Sequence, residues 1–159
     1  MKKIELTQNR VALVDDKDFE YLSQYKWCFN SNGYAVTNES FMGKRKLFLM
    51  HRLILGALSE DKIQRVDHKD MNKLNNQKIN LRFADKSQNA ANRLINKNNI
   101  SGYKGVSWNK RDKRWQAKIG INGKQLYLGE FKDPIKAAKK YDFTALKYFG
   151  KFARINFSS

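Results

Sequence analysis

The sequence predicts an α+β protein in two modules: a β-rich N-terminal part, and a C-terminal three-stranded antiparallel sheet backed by one helix. Three observations carry this expectation. Val106/Trp108, then Trp115/Ala117/Ile119, then Leu126/Leu128 alternate with polar residues, the period of strands with one apolar face. Asp133-Pro134 opens a segment that Gly150 stops, with Ile135, Ala138, Tyr141, Ala145 and Tyr148 or Phe149 on one helical stripe. At the start, Ile4, Leu6, Val11 and Leu13 suggest two short strands around a turn at Gln8-Asn9.

In chain order, Asp15-Asp16 can cap a short helix over roughly 17–25, with Phe19, Leu22 and Tyr25 on one face. Trp27-Cys28-Phe29 and Tyr34-Ala35-Val36 flank Ser31-Asn32-Gly33, a hairpin signature. Leu47 to Leu55 reads as a strand running into a short helix that contains His51-Arg52. Residues 72–99 hold nine asparagines, which favour turns and side chain–backbone bonds over regular structure. Residues 94–101 read as a polar linker between an N-terminal domain, 1–93, and a C-terminal domain, 102–159.

The 159 residues carry 32 Lys+Arg against 15 Asp+Glu, a net charge of +17, and are 41% hydrophobic, enough for a core. No apolar run approaches the roughly 18–20 residues of a membrane span, and no signal peptide is evident. A soluble, cytoplasmic, monomeric protein with no membrane role is therefore expected. Cys28 is the sole cysteine, which excludes an internal disulfide framework and a multi-cysteine zinc site. The charge is uneven: residues 1–100 have 18 basic and 11 acidic residues, net +7, and residues 101–159 have 14 and 4, net +10. So concentrated an excess, interleaved with aromatics, points to nucleic acid as the partner.

The chain has two histidines, His51 and His68. Asp67-His68 follows the run Ile63-Gln64-Arg65-Val66, with Asn80 twelve and Asn89 twenty-one residues past His68. Hydrolysis of a phosphodiester needs a base for water, oxygen ligands for a hard cation, and positive charge on the phosphate. His68 can be the base near neutral pH. Asp67 and the Asn89 amide oxygen can hold one Mg²⁺-type ion. Neighbours on a strand point to opposite faces, so Asp67 and His68 can share a site only where the strand ends or bends.

The string Met50-His51-Arg52-Leu53-Ile54, Val66-Asp67-His68, Asn80-Leu81-Arg82 and Ser87-Gln88-Asn89 resembles the His-Asn-His (HNH) endonucleases, in the form found in homing endonucleases of phages and mobile introns. The resemblance spans roughly residues 46–93. It implies a ββα-metal (His-Me finger) fold of strand, long loop, strand and helix. It also implies His68 as general base, Asp67 and Asn89 as metal ligands, and Asn80 as the residue that pins the loop. Asn89 stands where the family's last histidine falls, which favours one Mg²⁺ or Mn²⁺ over zinc. Arg82, Lys86 and Arg93 are candidates for phosphate contact. His51 either lines the active site or is a satisfied packing histidine.

Residues 103–157 contain Tyr-Lys-Gly-Val-Ser-Trp, Arg-Trp-Gln-Ala-Lys-Ile, Leu-Tyr-Leu-Gly-Glu-Phe and Ala-Ala-Lys-Lys-Tyr-Asp. This module is similar to the plant ethylene-response-factor (AP2) DNA-binding domain, which implies a sheet that enters the major groove with a helix packed behind it. Alternation independently turns Gln116, Lys118, Gln125 and Tyr127 away from the helix. The family pattern adds Lys104, Ser107 and Asn109 as DNA contacts. Ser107 and Asn109 stand where the plant domain tends to have arginine, so base preference does not carry over. Trp108 and Trp115 read as core aromatics. The expectation is a site-specific, metal-dependent endonuclease of double-stranded DNA, homing-type and nicking. The alternative is a non-catalytic DNA-binding regulator that retains a decayed nuclease domain. An RNA-associated basic protein is disfavoured, because the sheet lacks paired exposed aromatics.

Overall fold

The computed structural model describes residues 1–41, 44–57 and 65–157, and the chain divides into two compact units, residues 1–84 and 85–159. Ile63 and Gln64, which lead into the Asp67-His68 motif in the sequence, lie outside the described residues. The division falls ahead of the asparagine-bearing helix, whereas the sequence reading grouped that helix with the first part.

In the first unit, β1 (Lys2–Leu6) and β2 (Arg10–Val14) form an antiparallel hairpin, as the alternation implies. Its turn holds Gln8 and Asn9 at φ 61° and 53°, a left-handed pair that suits the twist of a tight hairpin. Helix α1 (Asp16–Ser23) follows. Asp15 precedes it as expected, but its side chain does not cap the helix; it accepts from the backbone N–H of Lys78 at 2.8 Å. Strands β3 (Cys28–Phe29), β4 (Ala35–Phe41) and β5 (Lys44–Leu49) make a three-stranded antiparallel sheet, and β5 runs into the single-turn helix α2 (Met50–Ile54). Ile4, Leu6, Ala12, Val14, Leu22, Trp27, Ala35 and Met50 close into one core. Leu22, Val14 and Met50 are fully buried there, and a side chain of that size buried from water contributes about 1.5–3 kcal/mol.

Strands β6 (Arg65–His68) and β7 (Leu81–Ala84) pair antiparallel, with Asp67 opposite Arg82 and His68 opposite Leu81. The stretch between them is irregular, as its asparagines predict, yet it is tied to the core. Leu13 N–H donates to the Leu74 carbonyl, and Asn76 N–H donates to the Leu13 carbonyl, both at 2.8 Å. These bonds clip the loop to β2.

The second unit begins with helix α3 (Lys86–Asn92). Asp85 and Gln88 form a reciprocal capping box that fixes its start. Strands β8 (Val106–Asn109), β9 (Arg114–Ile121) and β10 (Lys124–Phe131) make the expected meander, and α4 (Pro134–Phe149) packs on it. Asp133 caps α4 through the Ile135 N–H at 2.8 Å. Small residues bring helix and sheet together: Val106, Ala117, Ala137 and Ala138 form the buried centre. A Cβ at Gly105, whose φ is 76°, would lie 2.0 Å from the Tyr141 ring, so only glycine fits that crossing.

The packed stripe of α4 differs in part from its sequence reading. Ala138, Tyr141, Ala145 and Phe149 are buried, whereas Ile135 and Tyr148 are exposed at the helix ends. Trp115 packs against the core, but Trp108 is 44% exposed, with its ring 4.9 Å from that of Trp115. Segment 94–101 ends in bonds to this unit: Asn99 Nδ2 donates to the carbonyls of Tyr103 and Val106, and Ser101 Oγ lies within 3.0 Å of both carbonyls and 2.7 Å from Asn99 Oδ1. Ala91 at the end of α3 accepts from the Arg154 N–H and from Lys104 Nζ, and Ser87 Oγ accepts from the Asn122 N–H at 3.0 Å. Helix α3 and the sheet are thus bonded into one body. No described helix is long and apolar enough to cross a membrane.

Candidate active site

Asp67 and His68 end β6, and both are buried, 4% and 5% exposed. As neighbours on a strand they keep different company. Arg82 faces Asp67 across the ladder, and its Nε and Nη2 each approach Oδ2 at 2.8 Å. His68 packs among rings: its centroid is 5.0 Å from that of His51 and 6.1 Å from that of Tyr34. Its Nε2 lies 3.4 Å from Oδ1 of Asn76, a residue 1% exposed.

Burial pulls the His68 pKa below its ordinary value, against the bond to Asn76 and the charges of Asp70 and Asp67. The ring is therefore neutral near pH 7. Asn76 donates through Nδ2 to the Leu74 carbonyl, so its Oδ1 is the end presented to His68. An acceptor at Nε2 places the imidazole proton there and the lone pair on Nδ1, the form a general base needs. His51, on α2, is 5% exposed, and burial, with the His68 and Arg52 charges, pushes its pKa down to about 3. Its Nδ1 has no hydrogen-bond partner among the described residues. The sequence left two roles open for His51; the structure packs it against the edge of His68 and 5.0 Å from Tyr34.

Asn80 spans the loop. Its Oδ1 accepts from the Asp70 N–H at 3.1 Å, and its Nδ2 donates to Asp70 Oδ1 at 2.9 Å and to the Asn75 carbonyl at 2.8 Å. Asn75 Nδ2 and the Asn72 N–H, both at 2.8 Å, converge on the same Asp70 carboxylate. Burial works against the Asp70 charge, but bonds from Asn75, Asn80 and Asn72 outweigh it and hold its pKa below the usual range.

Asn89 lies on α3, in the second unit, with Lys86 at the start of the same helix and Arg93 at its C-cap. The donor set read from the sequence, the Asp67 carboxylate and the Asn89 amide oxygen, suits a hard divalent cation that keeps water or phosphate in its other positions. No group of three or more His, Cys, Asp or Glu that could hold a metal occurs among the described residues.

On the C-terminal sheet, the face away from α4 carries Ser107, Asn109, Gln116, Lys118, Gln125 and Tyr127, each exposed or half-buried. Two candidate DNA contacts are engaged elsewhere. Arg82 holds Asp67, and the ammonium of Lys104 is bonded to the Ala91 carbonyl, where burial brings its pKa down to about 8. Four residues escaped the sequence reading: Tyr34 and Asn76 beside His68, Asp70 at the loop knot, and Glu130 on the sheet. Asn76 is indistinguishable in the sequence from Asn72 and Asn75. Tyr34 lies far from His68 along the chain.

Residues 101–151 match the profile of the AP2 domain family. The chain is 34% identical over 148 residues to an uncharacterized HNH endonuclease of Acanthamoeba polyphaga mimivirus, covering 91% of this chain and 74% of that one. It is 45% identical over 58 residues to APETALA2-like protein 2 of Oryza sativa subsp. indica, covering 36% of this chain and 13% of that protein. Among solved structures, one of DNA binding and cleavage by the HNH homing endonuclease I-HmuI aligns over 79% of this chain and 75% of that one, with 23% identity and a TM-score of 0.38.

Proposed function

Because the chain belongs to the HNH endonuclease family and carries an AP2 domain at residues 101–151, we propose that it is a site-specific, divalent-metal-dependent DNA endonuclease of the homing type that nicks its target. The nuclease part supplies the chemistry, and the C-terminal sheet positions it on duplex DNA. The observation that carries this reading is His68: a buried imidazole at the end of β6 whose Nε2 lies 3.4 Å from Oδ1 of the buried Asn76.

In the proposed reaction, Nδ1 of His68 takes a proton from water. The water oxygen bonds to phosphorus, the P–O bond to the leaving sugar oxygen breaks, and that oxygen leaves with a proton from solvent. Asp67 and Asn89 would hold one Mg²⁺ or Mn²⁺, which supplies positive charge for the phosphate and leaving oxygen. Arg82 keeps the Asp67 carboxylate in place through two N–H groups. Asn80 keeps the loop closed around Asp70, so that His68 is held at the strand end. Lys86 and Arg93 meet phosphates. Ser107, Asn109, Gln116, Lys118, Gln125 and Tyr127 meet the groove, where amides can pair with base edges and lysine with phosphate or guanine. Lys104 is a clamp between α3 and the sheet in this account.

The test is incubation of the full chain with supercoiled circular and phage genomic duplex DNA, with Mg²⁺, with Mn²⁺ and with chelator. Conversion of supercoiled to open circles with a metal and not in chelator is expected. DNA bound but never cut under any metal would favour the regulator with a decayed nuclease.

A further inference from the structure

One carboxylate stands on the open face of the sheet, near the end of the edge strand β10. Plain alternation along β10 would put Glu130 on the helix side, with Leu126 and Leu128. A bulge prevents this. Tyr127 faces Lys118 and Gly129 faces Ala117, so Leu128 is the extra residue and Glu130 falls opposite Gln116. Gly129 has φ 120°, a conformation that glycine supplies without strain, and a bulge of this kind re-aims the side chains that follow it. Ser107, Gln116 and Glu130 therefore form one row across the three strands, and Trp108, Trp115 and Phe131 form the next row on the helix side.

Glu130 Oε1 accepts from Gln116 Nε2 at 2.8 Å and from Asn109 Nδ2 at 3.1 Å, and the Tyr127 hydroxyl bonds to the same carboxylate; Asn109 Nδ2 also donates to Asp112 Oδ2 at 2.5 Å. Three residues assigned to DNA contact thus converge on one acid. The bonds from Gln116 and Asn109 keep the carboxyl below its usual range, so it is charged at neutral pH. In a chain of net charge +17, a fixed anion on the DNA-facing surface weakens contact with phosphate. It is favourable only over a base that offers an N–H. With its amide nitrogen committed to Glu130, Gln116 offers its carbonyl oxygen. The row is rich in acceptors, which in the major groove match the N4 amino group of cytosine or the N6 amino group of adenine and oppose guanine O6/N7.

We propose that Glu130 is a specificity-determining residue: its carboxylate fixes Gln116 and Tyr127 in one arrangement beside Asn109 and selects a base with an exocyclic amino group at the contacted position. This rests on the reading that the sheet face docks on DNA.

The experiment uses the full chain in chelator, so that binding is read without cutting. Preferred duplexes are selected from a random library, and equilibrium binding is measured to the preferred site and to single-position changes. The wild type prefers cytosine or adenine at one position by about tenfold, the worth of a good base contact. Glu130→Gln loses that preference and binds unrelated duplex more tightly. Glu130→Asp, which keeps the charge but draws it back by one methylene, loses the preference without that tightening. A merely structural lesion would weaken all sites together and lower the melting temperature. An unaltered base preference in Glu130→Gln overturns the proposal, as does loss of preference only alongside loss of folding in both variants. If Lys118→Ala and Gln125→Ala also leave binding unchanged, the docking reading itself fails. If those two weaken binding while Glu130→Gln keeps the preference, only the role of Glu130 fails.

Discussion

The loop between β6 and β7 and the outer face of the C-terminal sheet are built from the same polar residue types and use them in opposite ways. In the loop, Asn75, Asn76 and Asn80 turn their amides onto backbone groups, Asp70 and His68, and Asn76 and Asn80 are buried. On the sheet, Gln125 is exposed to solvent, and the half-buried Asn109 and Gln116 hold Glu130 through their amide nitrogens. A buried polar group left without a partner costs about 1–3 kcal/mol, so the loop must satisfy its amides internally, and doing so makes it rigid. An exposed amide has no such obligation and can trade water for a base edge. A base needs the first arrangement, because its proton must sit on one chosen nitrogen. A reading surface needs the second.

After the general base itself, the largest effect that separates the two regions is expected at the proposed metal ligands. Asp67→Asn removes a full charge and keeps the shape, so it should lower cleavage by about 100-fold, the loss of a few kcal/mol of charge stabilisation, and raise the metal concentration required. Asn89→Ala removes only a dipole and should cost less. Metal titrations of cleavage check this, and the reverse ranking would count against the pair.

Acid is the next lever, and it acts on the buried region alone. The folded His51 resists protonation down to about 3, while an unfolded histidine takes a proton near 6.5. The unfolded state therefore gains protons as the pH falls through 6.5, and the native state does not. Stability from His51 is complete above that pH and declines below it, by about 2 kcal/mol between pH 6.5 and 5. Denaturant unfolding across this range, with His51→Gln as comparison, should show the slope in the wild type and a weaker one in the variant.

The smallest effect concerns the boundary. A fragment of residues 85–159 retains the Ala91, Asn99 and Ser101 bonds, and one of residues 102–159 loses them. Both should fold and bind duplex DNA with steep salt dependence, the shorter melting a few degrees lower, about 1 kcal/mol in a domain of this size. Equal melting temperatures would return α3 to the first part of the chain.

Periodicity made the second unit readable: strands of period two, the Asp133-Pro134 start and the Gly150 stop have local causes. It failed where a register changes: Gly129 inside the strand is a residue that a bulge favours, but plain alternation ignores it and so misses the shift that moves Glu130 to the open face. In the first unit, the motif drew attention to Asp67, His68 and Asn80, and the structure buries all three. Their partners were not legible. Asn76, Tyr34 and the Asp67–Arg82 pair follow from strand pairing and loop closure, which join residues far apart in sequence. Asp15 shows the same limit: it occupies a capping position but is drawn to Lys78, sixty-three residues away.

In the proposed division of labour, His68 acts as the base while the sheet does the binding. The direct measurement is cleavage and equilibrium DNA binding by His68→Ala beside the wild type, in the same buffer with Mg²⁺. Cleavage should fall by about 10²–10⁴-fold, the usual contribution of a positioned base, while duplex affinity stays within the wild-type range. Cleavage at the wild-type rate in the variant would contradict the account.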